Sequence, residues 1–143
     1  MASPDMHRLA REFFAAVGRG QLPDSLVTPD MSAWTLSGGD TDLARFAGGV
    51  KLLAAVVAPG ALVYDIASIT AEDDRVVAEV RSDWPLVNGQ RAQNHHVFAF
   101  RVRDGRIAHV AEYMDTTVPK TVIGPAIQAL LQQMQAQSTG DAQ

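Results

Sequence analysis

Between Arg75 and Thr117 the chain gathers side chains able to move protons, Glu79, Asp83, His95, His96, Glu112 and Asp115, and two that can only donate or accept hydrogen bonds beside them, Arg81 and Asn94. A carboxylate held beside an imidazole is suited to general acid–base work. An arginine can hold a carboxylate or polarise a carbonyl, and a carboxamide can donate to an oxyanion. The chain has no Cys, so thiol nucleophiles, thiolate zinc sites, iron–sulfur clusters and disulfide frameworks are excluded. His95 and His96 are neighbours on one strand and must point to opposite faces, a poor geometry for two ligands of one metal. No metal and no cofactor are expected.

The elements that must position these residues follow from the apolar spacing. Ser3-Pro4-Asp5 reads as a helix start, and Met6, Leu9, Ala10, Phe13, Phe14 and Val17 recur at helical spacing until Gly18 and Gly20. Pro23–Val27 reads as a short second helix and Met31–Leu36 as a short strand carrying Trp34. Leu43, Phe46, Val50, Leu53 and Val57 predict a helix from Asp42 to Val57, with a bend at Gly48-Gly49. After Pro59-Gly60 come four β-rich segments, Ala61–Thr70, Arg75–Leu86, Gln90–Val102 and Arg106–Thr117. They are separated by Glu72-Asp73-Asp74, Asn88-Gly89 and Asp104-Gly105. Ile123, Ile127, Leu130 and Met134 predict a C-terminal helix. This order is α+β, with helices covering one face of a curved antiparallel sheet. A single domain over 1–134 is expected, with 135–143 a flexible tail.

Turn chemistry then assigns the faces. A two-residue turn at Asn88-Gly89 pairs Asp83 with Asn94, Arg81 with His96 and Glu79 with Phe98. A three-residue loop at Arg103-Asp104-Gly105 pairs Phe98 with Val110, His96 with Glu112 and Asn94 with Met114. One face then carries Glu79, Arg81, Asp83, Asn94, His96, Phe98, Phe100, Val110, Glu112 and Met114. The other carries Ala78, Val80, Ser82, Trp84, His95, Val97, Ala99, His109, Ala111, Tyr113 and Asp115. A tight two-residue turn at Asp104-Gly105 is the alternative, and it sets Tyr113 opposite His96 and Asp115 opposite Asn94. The first face has a polar end and an apolar end, the composition of a small-molecule pocket. Its other possible role is a solvated ladder of ion pairs. Trp34, Trp84, Met31 and Met114 are candidate walls of such a pocket.

The chain of 143 residues has 47% apolar and 20% charged residues and a formal net charge of −4. That length buries a core unaided. The mildly acidic balance lacks the clustered Lys and Arg that phosphate backbones demand, so nucleic acid is not an expected partner. The longest apolar stretch, Leu52–Ala58, is far short of the ~20 residues of a membrane span. No basic region followed by an apolar run stands at the N-terminus. The cytoplasm is the expected compartment.

The element order, and above all NGQRAQNHHVFAFRVRDGRIAHVAEYMDT from Asn88 to Thr116, resembles the nuclear transport factor 2-like superfamily. The resemblance runs over nearly the whole chain and is strongest to the SnoaL-like (polyketide cyclase-like) and limonene-epoxide-hydrolase-like branches. It implies a cone-shaped α+β barrel: N-terminal helices on a strongly curved antiparallel sheet that encloses a pocket. In the epoxide-hydrolase-like branch an Arg-x-Asp pair and a later acid flank the water. The matching positions here are Glu79, Arg81 and Glu112, with the Arg and its acid exchanged. The water-holding Tyr and Asn of that branch are reduced to Thr35. The SnoaL-like cyclases and similar isomerases of the ketosteroid type use a pocket acid or His to remove a proton next to a carbonyl. By that resemblance Glu112 is the base, with His96 and Arg81 polarising. Asn94 orients the substrate, and Asp115 is the base in the alternative register. Asp83, Trp34, Thr35, Phe98, Val110 and Met114 complete the expected binding surface. The implied partner is a small apolar organic molecule. The apolar second face, left uncovered, implies a sheet-to-sheet homodimer.

Overall fold

In the computed structural model, which describes residues 4–141, helix α1 spans Pro4–Gly18. Its stripe of Leu9, Ala10, Phe13, Phe14 and Val17 is buried, as the helical spacing requires. The Ser3 cap lies outside the described residues. Strands β1 (Val27–Thr35) and β2 (Gly39–Asp42) follow, then helix α2 (Leu43–Val56) and strands β3 (Tyr64–Glu72), β4 (Arg75–Pro85), β5 (Arg91–Arg103) and β6 (Arg106–Met114). A π-helical turn, Pro119–Ile123, leads into α3 (Gly124–Asp141). Within the segment expected as a tail, residues 135–141 continue α3 as helix, exposed through Gly140.

The six strands form one open sheet in the order β2-β1-β6-β5-β4-β3. Every pairing is antiparallel except β1 with β6, which is parallel. Irregularities at Ala67 on β3 and Ala108 on β6 each insert an unpaired residue, and such bulges bend a strand and deepen its twist. The result is a curved, unclosed α+β sheet with three helices in its hollow. No described helix is long and apolar enough to cross a membrane.

Two expected elements differ. Pro23–Val27 forms a turn closed by Leu26 N–H donating to Pro23 O at 2.9 Å, and Val27 already pairs with Ile107. Leu26 and Val27 are buried, so burial in the sheet layer overrides a weak local helix signal. Strand β2, Gly39-Asp40-Thr41-Asp42, has one β-forming residue to announce it, Thr41, and exists through its ladder with β1. Helix α2 begins where expected, with the Asp42 carboxylate accepting from Arg45 N–H at 2.9 Å, and it runs unbroken through Gly48-Gly49.

The registers decide which side chains face inward. At the β4–β5 turn Leu86 N–H donates to Gln90 O and Gly89 N–H to Leu86 O, so the loop has three residues, Val87-Asn88-Gly89. Gly89 takes φ 90°, a left-handed position that closes such a loop. The extra loop residue slides β4 by one against the expected pairing, and Ser82 faces Asn94 while Val80 faces His96. A one-residue slip exchanges the faces of a whole strand. Val76, Ala78, Val80, Ser82 and Trp84 are therefore buried, and Glu79, Arg81 and Asp83 stand on the outer face. At the β5–β6 turn Asp104 (φ 53°) and Gly105 (φ 75°) make the tight two-residue turn of the alternative register. The bulge at Ala108 then adds a second residue of offset, which restores Glu112 and Met114 to the inner face and leaves Tyr113 outside. Ala78, Val80 and Trp84 accordingly belong to the core and not to an outer docking face. Among the residues expected there, Val97 and Tyr113 are exposed.

Candidate functional site

The hollow of the sheet is filled at one end by aromatic packing. Phe13 and Phe14 of α1 stand edge-on to Phe100 and Phe98, with ring centroids 4.9 and 5.0 Å apart. Toward the other end the packing opens into a cavity of about 300 Å³. Its walls are mainly apolar: Phe46, Val50 and Leu53 of α2, Ile123 and Ile127 at the C-terminal end, and Phe98, Trp84 and Met114 of the sheet. Gly49 contributes bare backbone, and Thr35, Thr41 and Arg45 also line the space.

On the floor three polar side chains are hydrogen-bonded in series. Ser82 Oγ lies 2.8 Å from His96 Nε2, and His96 Nδ1 lies 2.8 Å from Glu112 Oε2. A carboxylate can only accept, so Nδ1 carries a hydrogen. In the neutral imidazole Nε2 then accepts from the Ser82 hydroxyl. The His96 side chain is 6% exposed and that of Glu112 is 16%. Rings of Tyr64, Phe98 and Trp84 surround the imidazole at centroid distances of 5.6, 5.8 and 6.2 Å. In this apolar setting the charge of Glu112 is poorly screened and its interactions are stronger than in water. Its second oxygen, Oε1, has no hydrogen bond among the described residues.

Tyr64 sits on β3 directly opposite Ser82 and lines the cavity. Burial pushes its phenol well above the ordinary tyrosine value, and the nearby Glu112 carboxylate pushes in the same direction. The group is therefore a neutral donor, and no described residue hydrogen-bonds to it.

Among the residues expected at the site, Glu112, His96, Asn94, Thr35, Phe98 and Met114 come together around the cavity. Asn94 differs in role. Its amide donates to Asp115 O at 2.9 Å, and its carbonyl accepts from the N–H of His95 and of Asp115. The side chain ties the end of β6 to β5 and is engaged with backbone. Val110 is fully buried opposite Phe100, at the aromatic end, and does not line the cavity. Trp34 alternates outward from Thr35 and packs on Tyr113 at 5.1 Å. The slipped β4 register removes Glu79, Arg81 and Asp83 from the cavity. Arg81 pairs with Asp65 at 3.1 Å, Asp83 with Arg91, and Glu79 accepts from Ser68 Oγ. These are exposed pairs, the solvated ladder of the other reading. The acid–Arg–acid cluster that a hydrolytic water would need does not form, because Arg81 and Glu112 lie on opposite faces. Asp115 is outside the cavity, with its carboxyl held below the ordinary value by the hydrogen bond from Thr117 N–H.

Ser82 and Tyr64 are the residues that sequence reasoning missed. Ser82 was hidden by the one-residue error in the β4–β5 turn. Tyr64 was hidden because its own strand had no assigned register against β4. Among the described residues no three His, Asp or Glu side chains gather as a metal site requires.

A model of the SnoaL-like domain family matches residues 10–110. Several solved structures share the fold. A SnoaL-like protein from Jannaschia sp. CCS1, proposed to be a polyketide cyclase, is 18% identical, with 86% of this chain and 96% of that chain covered and a TM-score of 0.68. A nuclear transport factor 2-like protein from Burkholderia xenovorans LB400 is 20% identical, with 82% and 95% covered and a TM-score of 0.64. AclR from Streptomyces galilaeus, proposed to be a hydroxylase, is 18% identical, with 99% of both chains covered and a TM-score of 0.72. No curated protein sequence matches the chain.

Proposed function

The chain belongs to the SnoaL-like domain family, and from that premise we propose that it is a cofactor-independent acid–base enzyme of the isomerase or cyclase type, acting on a small apolar carbonyl compound of polyketide-like character. The observation that carries this reading is Glu112, a carboxylate lining an apolar cavity, whose Oε2 is held by His96 while its Oε1 has no hydrogen bond among the described residues. A carbonyl compound lying in the cavity would place a C–H bond next to its carbonyl against Oε1. Glu112 takes that proton, and the electron pair of the C–H bond moves to the carbonyl oxygen. The Tyr64 hydroxyl is the donor for the resulting enolate oxygen. Return of the proton to another carbon isomerises the substrate, and attack of the enolate carbon on a second carbonyl closes a ring. His96 keeps the carboxylate oriented throughout.

The test is exchange of the acidic C–H of small cyclic ketones and diketones in D2O, followed by NMR. Glu112→Gln keeps the shape and the His96 contact and is expected to slow exchange at least ~100-fold, the usual contribution of a positioned base. An exchange rate near that of the unaltered protein removes Glu112 from the mechanism. A second reading, a ligand-holding module without turnover, is favoured by the inward hydrogen bonding of Ser82, His96 and Asn94, which leaves few polar groups free. Its mark is a small apolar molecule that raises the melting temperature and is recovered unchanged.

A further inference from the structure

Ser82, His96 and Glu112 are arranged as nucleophile, base and orienting acid. A hydroxyl becomes a useful nucleophile when a base accepts its proton and a third group fixes the tautomer of that base. Here the hydroxyl meets Nε2 at 2.8 Å and the carboxylate meets Nδ1 at 2.8 Å. All three line the same cavity, whose apolar walls suit an acyl chain. Tyr64, opposite Ser82 on the neighbouring strand, offers a free hydroxyl for an oxyanion. Ser82, Tyr64 and Asn94 also border a second, polar groove that includes Asp65, Gln93 and His95. Residue 82 thus lies where the apolar cavity and the polar groove meet.

We propose that Ser82 is the nucleophile of a Ser82–His96–Glu112 triad that cleaves carboxylic esters with short apolar acyl groups. Ser82 Oγ bonds to the ester carbonyl carbon as its proton passes to His96 Nε2, and the carbonyl electron pair moves to the oxygen facing Tyr64. Collapse of that oxyanion breaks the bond to the leaving alkoxide, which takes the proton from Nε2. Water repeats the sequence: its proton passes to Nε2, its oxygen bonds to the acyl carbon, and the acyl–Oγ bond breaks with return of the proton to Ser82. Glu112 stays ionised and accepts from Nδ1–H in both halves.

This activity is separate from proton abstraction by Glu112 Oε1, and its readout is separate too. The unaltered protein is treated with a fluorophosphonate, and the adduct is located by peptide mass spectrometry. Hydrolysis of p-nitrophenyl butyrate is followed in parallel. The expected results are an adduct on Ser82 and ester turnover that Ser82→Ala reduces to the uncatalysed rate. Glu112→Gln lowers turnover about 10²- to 10⁴-fold. Absence of an adduct on Ser82 overturns the proposal, as does ester turnover that persists in folded Ser82→Ala. Because the adduct is sought on the unaltered chain, the test holds even if a variant fails to fold.

Discussion

At the residue scale the governing fact is that His96 has both ring nitrogens engaged, one by a carboxylate and one by a hydroxyl. A histidine so held cannot turn to face a ligand, which leaves Oε1 of Glu112 and the hydroxyl of Tyr64 as the free polar groups of the floor. Tyr64 also carries a pH dependence whose sign can be worked out. Its folded-state pKa is raised by burial and by Glu112, so on alkaline titration the unfolded chain loses the phenolic proton first. Above pH ~10 the native state binds more protons than the unfolded state, and stability falls as pH rises. The loss from this one group approaches about 1.4 kcal/mol per pH unit between the unfolded and folded pKa values. Chemical denaturation between pH 9 and 11 should show a shallower decline for Tyr64→Phe. An identical slope in the two proteins would place the phenol in water.

At the element scale, one residue of turn or bulge decides which chemistry faces inward. The three-residue loop at Val87-Asn88-Gly89 turns Ser82 in and Arg81 out. The bulge at Ala108 turns Glu112 in and Tyr113 out. Helix α2 presents a different economy, because two adjacent glycines have separate surroundings. A Cβ added at Gly48 or Gly49 meets no atom within 4 Å, but only Gly49 borders the cavity. Gly48→Ala should stabilise the protein by about 0.5–1 kcal/mol through helix propensity alone, seen as a melting temperature a few degrees higher, with activity unchanged. Gly49→Leu would place a side chain in the cavity. It should weaken binding of apolar ligands while the fold persists, measured by ligand-induced shifts in melting. Asp42→Ala removes the α2 cap and should cost ~1 kcal/mol.

At the scale of the whole molecule, the helices cover only the concave side of the sheet. The convex side carries the ion pairs Arg81–Asp65 and Asp83–Arg91 beside an apolar group of Val77, Val97, Leu36 and Tyr113. We propose that a second copy of this chain covers that group, because a two-fold axis through it would match apolar centre to apolar centre and leave the charges at the rim. Light scattering after size exclusion should give a dimer mass, and Val97→Glu a monomer of unchanged secondary structure. A monomeric mass for the unaltered chain would end this reading.

The sequence by itself determined the α+β class, the three α-helices and the four long strands β3–β6 in their order, and it set His96 with Phe98 on one face of β5 and Glu112 with Met114 on one face of β6. Periodicity is a local property, and a strand's own alternation needs no knowledge of its partners. It failed where the answer lay between elements. Hairpin signals at Asn88-Gly89 and Asp104-Gly105 were legible as turns, but the first closes a three-residue loop in place of the expected two-residue turn, and the second a two-residue turn in place of the expected three-residue loop. A bulge leaves no trace in composition. Only the tertiary structure decided that Ser82 replaces Arg81 beside His96, that Tyr64 crosses from β3 to the same floor, and that Asn94 is tied to backbone. Register is set by the cooperative fit of a whole ladder and the burial of one face. That fit is summed over strands distant in sequence, and no single segment contains it.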